Sequence, residues 1–185
     1  MLPCLAAATP TLAHTGGALG GLLGGLAHPV FGLDHVAAMV AVGLWGAILG
    51  PPAIFLLPIT FPLVMALGGV LGILGVALPG IEAGIGVSAV VLGLAVALAA
   101  KPPLWVAAMA VGVFAIFHGH AHGAELPAGA DALAYSIGFV VATGLLHLGG
   151  IAIGLSVRWP AGRAIVRTIG GAIALAGLVF LVRLA

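Results

Sequence analysis

Fixed charge is so scarce in this chain that its scarcity decides the fold class before any motif is read. Charged residues make up 5% of 185 positions, while 63% are apolar and the mean hydropathy is +1.38. About a quarter of a soluble domain's residues are charged, because a folded surface must be hydrated, and this chain cannot supply such a surface. Apolar runs matched to the roughly 30 Å hydrocarbon core of a bilayer fill it instead. Within lipid, backbone polar groups must be satisfied inside each span, which favours helices. The chain therefore reads as an all-α, polytopic membrane protein whose immediate partner is the lipid bilayer. Its formal charge of +1 leaves no nucleic-acid footprint, and the single cysteine, Cys4, excludes an intrachain disulfide framework. No Walker-type glycine loop appears, so the chain carries no ATPase of its own.

Prolines, glycines and the few charges divide the apolar length. Residues 1–13, MLPCLAAATPTLA, resemble the end of a secretory signal peptide, although they lack a basic start and are interrupted by Pro10. Cleavage after Ala13 would make His14 the N-terminus and place an imidazole beside an α-amine. A frayed polar terminus is the alternative. Residues 14–185 read as a single domain of six transmembrane helices. The first stretch, 16–49, would be roughly 50 Å long as one helix, too long for a straight crossing, so a broken or re-entrant element is expected, interrupted at His28-Pro29 with Gly32 as a further weak point. Within it Gly17, Gly21 and Gly25 would offer a smooth face to a neighbour. The remaining spans are 53–77, kinked by Pro58 and Pro62, then 83–100, 104–121, 132–155 and 164–184. Arg158-Trp159-Pro160 and Arg163 are expected to form the last loop. Lys101, Arg158, Arg163 and Arg167 all fall on one side, which the positive-inside rule makes cytoplasmic. Both termini, Glu82, Glu125 and Asp131 then lie outside, with Arg183 against the trend.

Two clusters carry chemistry. The first is His28-Pro29-Val30-Phe31-Gly32-Leu33-Asp34-His35, between long apolar runs. An unpartnered carboxylate at the bilayer centre costs about 2.5–3.5 kcal/mol on insertion scales, so Asp34 needs a partner. Imidazole and carboxylate are ligands for a divalent transition metal. An Asp–His hydrogen bond tying two helices together is the structural alternative, but it leaves His28 unexplained. The second cluster ends the fourth span: His118 and His122 are one helical turn apart, and Glu125 shares their face if the helix persists. His120 points elsewhere and suits a relay. His147 lies mid-span, where an ionisable group is a functional candidate by default and a packing residue otherwise.

His-Pro-x-x-Gly-x-Asp-His-x-x-x-Met-x-x-Val-Gly-Leu-Trp, from His28 to Trp45, resembles the signature of the HupE/UreJ family. The similarity continues through Leu78-Pro79-Gly80-Ile81-Glu82-Ala83-Gly84, through Phe117 to Pro127, and around His147 from Gly138 to Gly149. The His-x5-Asp-His spacing is also similar to the His-x4-Asp-His motif of the larger nickel/cobalt permeases. This resemblance implies a six-span bacterial inner-membrane permease for nickel, with cobalt as the alternative, serving hydrogenase and urease maturation. It implies that His28, Asp34, His35, His118 and Glu125 matter for transport, and it fits a signal peptide followed by His14.

The metal-ligand candidates are therefore His14, His28, Asp34, His35, His118, His120, His122, Glu125 and His147. The expected arrangement is an outer capture group of His118, His122 and Glu125, with His14 if processed, feeding a deeper group of His28, Asp34 and His35. Ni²⁺ or Co²⁺ would be cargo rather than a prosthetic group. An intramembrane metalloenzyme and a metal-sensing membrane subunit are the rival readings, and a homo-oligomer is compatible with either.

Overall fold

The computed structural model describes residues 18–126, 129 and 131–184. Among them are seven α-helices and no strand: α1 (Ala18–Phe31), α2 (Leu33–Leu49), α3 (Ala53–Ile73), α4 (Ile81–Ala97), α5 (Leu104–Ala124), α6 (Ala132–Gly154) and α7 (Pro160–Val182). A single 3₁₀ turn, Leu155–Arg158, links the last two. α1 and α2 meet at 79° and together form a broken first span. α3, α5, α6 and α7 are each long and apolar enough to cross a membrane, and with the bent pair and the shorter apolar helix α4 the all-helical arrangement is compatible with the expected six-span fold with a broken first helix. α4 is the shortest of the later five, 17 residues or about 25 Å. Residues 1–17, and with them the proposed signal peptide, Cys4, His14 and Gly17, lie outside the described residues.

The break falls at Gly32 and not at Pro29. His28 and Pro29 remain helical, and the Gly32 N–H still donates to the His28 carbonyl at 3.3 Å. Pro29 removes one hydrogen bond close to the helix end, where the loss is small. Gly32 then turns extended, with ψ of 104°, and a Cβ there would stand 3.1 Å from Asp34 Oδ1. Glycine at this point leaves the carboxylate its place.

Other helix ends follow from local chemistry. Asp131 caps α6 by accepting the N–H groups of Leu133 and Ala134, both at 3.0 Å. Gly80 takes a φ of +69° ahead of α4, a conformation open to glycine at little cost. Pro160 occupies the first turn of α7, where its fixed φ suits a helix start. Arg163 is therefore helical rather than in the preceding loop. Pro58 and Pro62 both sit inside α3, and neither can donate to the carbonyl four residues earlier.

Helices in lipid gain little from the hydrophobic effect and associate through close packing of small residues. Here the approach is backbone to backbone. A methyl on Gly68 or Gly72 of α3 would overlap the carbonyls of Ile116 or His120, and one on Gly119 or Gly123 of α5 those of Met65 or Gly69. Gly93 and Gly170 join α4 to α7 in the same way. α6 holds both halves of the broken span, α1 through Gly25 and Gly138 and α2 through Gly43 and Gly150. Large apolar side chains such as Leu63, Leu133, Leu145 and Leu175 cover the outside, while His35, Ser88, His118, His120, His122, Thr143 and His147 are buried within. The polar groups are in the middle and the apolar ones outside, as a bilayer requires.

Candidate metal centre

Three helix ends meet at one level of the bundle. The last turn of α1 brings His28, the first turn of α2 brings Asp34 and His35, and the last two turns of α5 bring His118 and His122, with Glu125 as the residue after the helix. The two sequence clusters, expected to act one above the other, are a single constellation. The reason is topological: the break at Gly32 lowers the start of α2 to the depth that α5 reaches two turns before its end.

His122 stands at the centre. Its ring is 4.7 Å from that of His28 and 4.0 Å from that of His35. His28, His122 and Glu125 each offer a ligand atom, and these atoms lie within 4.8 Å of one another. His28 Nε2 is 3.7 Å from Glu125 Oε2, and the carboxylate is more than half exposed. On the other side His122 Nε2 contacts His35 Nε2, and His118 Nδ1 lies 3.1 Å from that same nitrogen. His122 thus belongs to an exposed His–His–Glu set and to a buried set of three imidazoles.

The tautomers can be deduced from the neighbours. Ser88 has one hydroxyl proton, which it donates to the Ile85 carbonyl at 2.6 Å. It must therefore accept from His118 Nε2, 2.8 Å away, leaving a lone pair on His118 Nδ1. Asp34 Oδ1 accepts the backbone N–H of His35 at 2.9 Å and lies 3.6 Å from His35 Nδ1. A carboxylate beside Nδ1 keeps the proton on that nitrogen and the lone pair on Nε2. Lone pairs of His118 Nδ1 and His35 Nε2 then face each other in a buried site, an arrangement that a bound cation relieves. Asp34 thus lies behind His35 rather than among His28, His122 and Glu125.

A family model described as HupE / UreJ protein matches residues 2–180. The chain belongs to the HupE/UreJ family. Protein HupE of Rhizobium leguminosarum bv. viciae is 48% identical over 181 residues, which are 98% of this chain and 95% of that protein. No solved structure matches the chain.

Two of the remaining candidates stand apart in this HupE/UreJ protein. His120 turns to the α3–α4 connection, where its Nε2 donates to the Val76 carbonyl at 2.6 Å. It holds a loop and does not reach the constellation. His147 is buried on α6, where its ring meets that of Phe61 and none of the other described histidines.

Sequence reasoning passed over Ser88, Tyr135, Phe139 and Phe61. Ser88 is the one hydroxyl in the apolar α4 segment, and that isolation was the available signal. The rings of Tyr135 and Phe139 lie 6.1 and 6.3 Å from His28, and Phe139 is 4.4 Å from His122, so they wall the site from α6. Replacing Ser88 by Ala leaves His118 Nε2–H without its acceptor, which costs about 1–3 kcal/mol for a buried donor. The same change frees the tautomer, and metal affinity is expected to fall about tenfold. Titration of the purified Ser88→Ala protein with Ni²⁺, against wild type, checks this; equal affinity would show that Ser88 does not set the ring.

Proposed function

We propose that this HupE/UreJ protein carries Ni²⁺, with Co²⁺ as the alternative cargo, across the bacterial inner membrane toward the cytoplasm, supplying the maturation of nickel enzymes such as hydrogenase or urease. The observation that carries the reading is the sharing of His122 between an exposed and a buried set of ligands. A structural metal site is closed and satisfied, whereas a transport path needs ligands that can pass an ion from one set to the next. His28, Glu125 and His122 take the hydrated ion and strip part of its water. His122, His35 and His118 then hold it inside the bundle, with Asp34 offsetting charge and orienting His35.

Uptake competition among Ni²⁺, Co²⁺, Zn²⁺ and Cu²⁺, in cells lacking their own nickel permeases, tests function and selectivity together. Imidazole sets favour copper by intrinsic affinity, so nickel preference in the assay would have to come from the shape of the path. Uptake no greater than that of cells without the protein would end the reading.

The direction rests on Lys101, Arg158, Arg163 and Arg167, which share the end of the bundle opposite the constellation. Arg167 Nε donates there to the Ala97 carbonyl at 2.7 Å, and Trp45 Nε1 to that of Ala100 at 2.9 Å. Reporter fusions at Lys101 and Arg163 are expected to read cytoplasm, and one at Gly129 the outside. A cytoplasmic Gly129 would reverse the direction assigned to the metal path.

A further inference from the structure

Below the constellation, toward the basic end of the bundle, a second group of polar atoms is buried without partners. His147 is 1% exposed and Thr143 fully buried, and neither the two ring nitrogens nor the Thr143 hydroxyl makes a hydrogen bond with any of the described residues. They lie one turn apart on α6, so they share a face, and the His147 side chain leans back toward Thr143. Leaving a buried donor or acceptor unmade is costly, and here three such atoms are collected in one place. A fourth polar group joins them from α3. Pro62 has no N–H to offer the Pro58 carbonyl, and this freed oxygen faces His147 outside hydrogen-bonding geometry.

The position of this group along the helices is as informative as its composition. His118 lies two turns from the constellation end of α5, whereas His147 is fifteen residues into α6 and two turns from the opposite end. One side chain touches both: the Phe61 ring is 5.6 Å from His118 and 5.7 Å from His147. We propose that His147, with the Thr143 hydroxyl and the Pro58 carbonyl, is an inner station for the same divalent transition-metal ion, reached from the His35–His118 pair past the Phe61 ring.

This rests on the proposed transport function for its purpose, though not for its test. One imidazole nitrogen and two neutral oxygens make a weak site. A station from which an ion must leave toward the cytoplasm has to be weak, since conduction requires release as well as entry. Among the described residues no carboxylate joins it, which distinguishes it from the constellation, where Glu125 and Asp34 supply charge. α2 closes the group from the other side through Gly43, whose backbone lies against the His147 carbonyl.

His147→Leu separates a ligand from a packing residue. Leucine fills a comparable volume and removes two unpartnered nitrogens, so the variant is expected to be at least as stable as wild type. Equilibrium binding of Ni²⁺ to the detergent-solubilised full chain should fall by one ion per chain, with the tight class unchanged within twofold. Uptake at limiting Ni²⁺ should drop about tenfold or more at normal membrane abundance. His147→Gln, which restores a neutral oxygen ligand that does not titrate, should recover part of the lost binding.

An unchanged number of bound ions in His147→Leu would overturn the inner station, whatever happens to uptake. Lost uptake with unchanged ion binding would mark His147 as a proton carrier, and that result also overturns it. Binding is measured without transport, so failure of the transport reading itself leaves this outcome legible.

Discussion

An Asp34→Asn protein accumulates in the membrane like wild type and takes up at least about tenfold less Ni²⁺ at limiting concentration. The amide keeps the oxygen that accepts the His35 N–H at 2.9 Å, so the first turn of α2 is preserved. What it removes is the negative charge 3.6 Å from His35 Nδ1. Without that charge the proton is no longer held on Nδ1, and the lone pair on Nε2 that faces His118 and His122 is lost for part of the time. The compensation of a divalent cation in a low-dielectric site goes with it. His35→Ala is expected to be more severe still, because it deletes the nitrogen on which the buried set converges. Radiolabelled nickel uptake and immunoblotting of the same membranes check both. Near-wild-type uptake by normally abundant Asp34→Asn would leave Asp34 with a purely structural role.

A comparably large loss is expected from Gly119→Leu, by a different route. Any Cβ at position 119 would overlap the Met65 carbonyl, and a leucine adds three more carbons in the same direction. Overpacking a well-filled interior costs about 1–3 kcal/mol when side chains can adjust. Here the opposing atom is backbone, so α3 and α5 must separate, carrying His118 and His122 away from His35. Membrane abundance should fall several-fold, and the Ni²⁺ affinity of what remains should fall with it. Gly149→Leu is the control, since nothing lies within 4 Å of a Cβ there and the side chain would point into lipid. If both variants accumulate and bind equally, the close approach of α3 to α5 does not set the geometry of the site.

Much of this architecture could be read from composition and punctuation. The starts of α3 and α5 follow directly from Pro51-Pro52 and from Lys101-Pro102-Pro103, and the tolerance of α3 for two prolines from its apolar length. Of the two weak points legible in the sequence, Pro29 is the stronger helix breaker in general, yet the break falls at the other, Gly32. At a helix end, however, the lost hydrogen bond matters little, and Gly32 next to the Asp34 carboxylate is the point that yields. The merging of the two clusters could not be read from spacing, because it depends on the depth at which α2 begins relative to α5. His118, His122 and Glu125 do meet the other histidines, yet Glu125 does so as the residue that ends the helix. His120 was separable from its neighbours by helical phase, but its grip on Val76 needs the path of the α3–α4 connection. Ser88 escaped notice because one hydroxyl in an apolar span has many ordinary uses.

The glycine contacts have a mechanical meaning beyond packing. They couple the helices into stiff bodies, α3 with α5, α4 with α7, and α6 with both halves of the broken span. The candidate ligands and the serine that orients one of them are distributed across these bodies: His118 and His122 ride on the first, Ser88 on the second, and His28 and His35 on the third. Deformation within a body is opposed by backbone meeting backbone. Between bodies such stops are fewer, Gly46 of α2 against Ala53 and Ile54 at the start of α3 among them. A small roll of one body against another is therefore freer and changes the distances between these side chains directly. The constellation is thus the joint at which three stiff parts meet, and an ion seated in it would work as a removable pin.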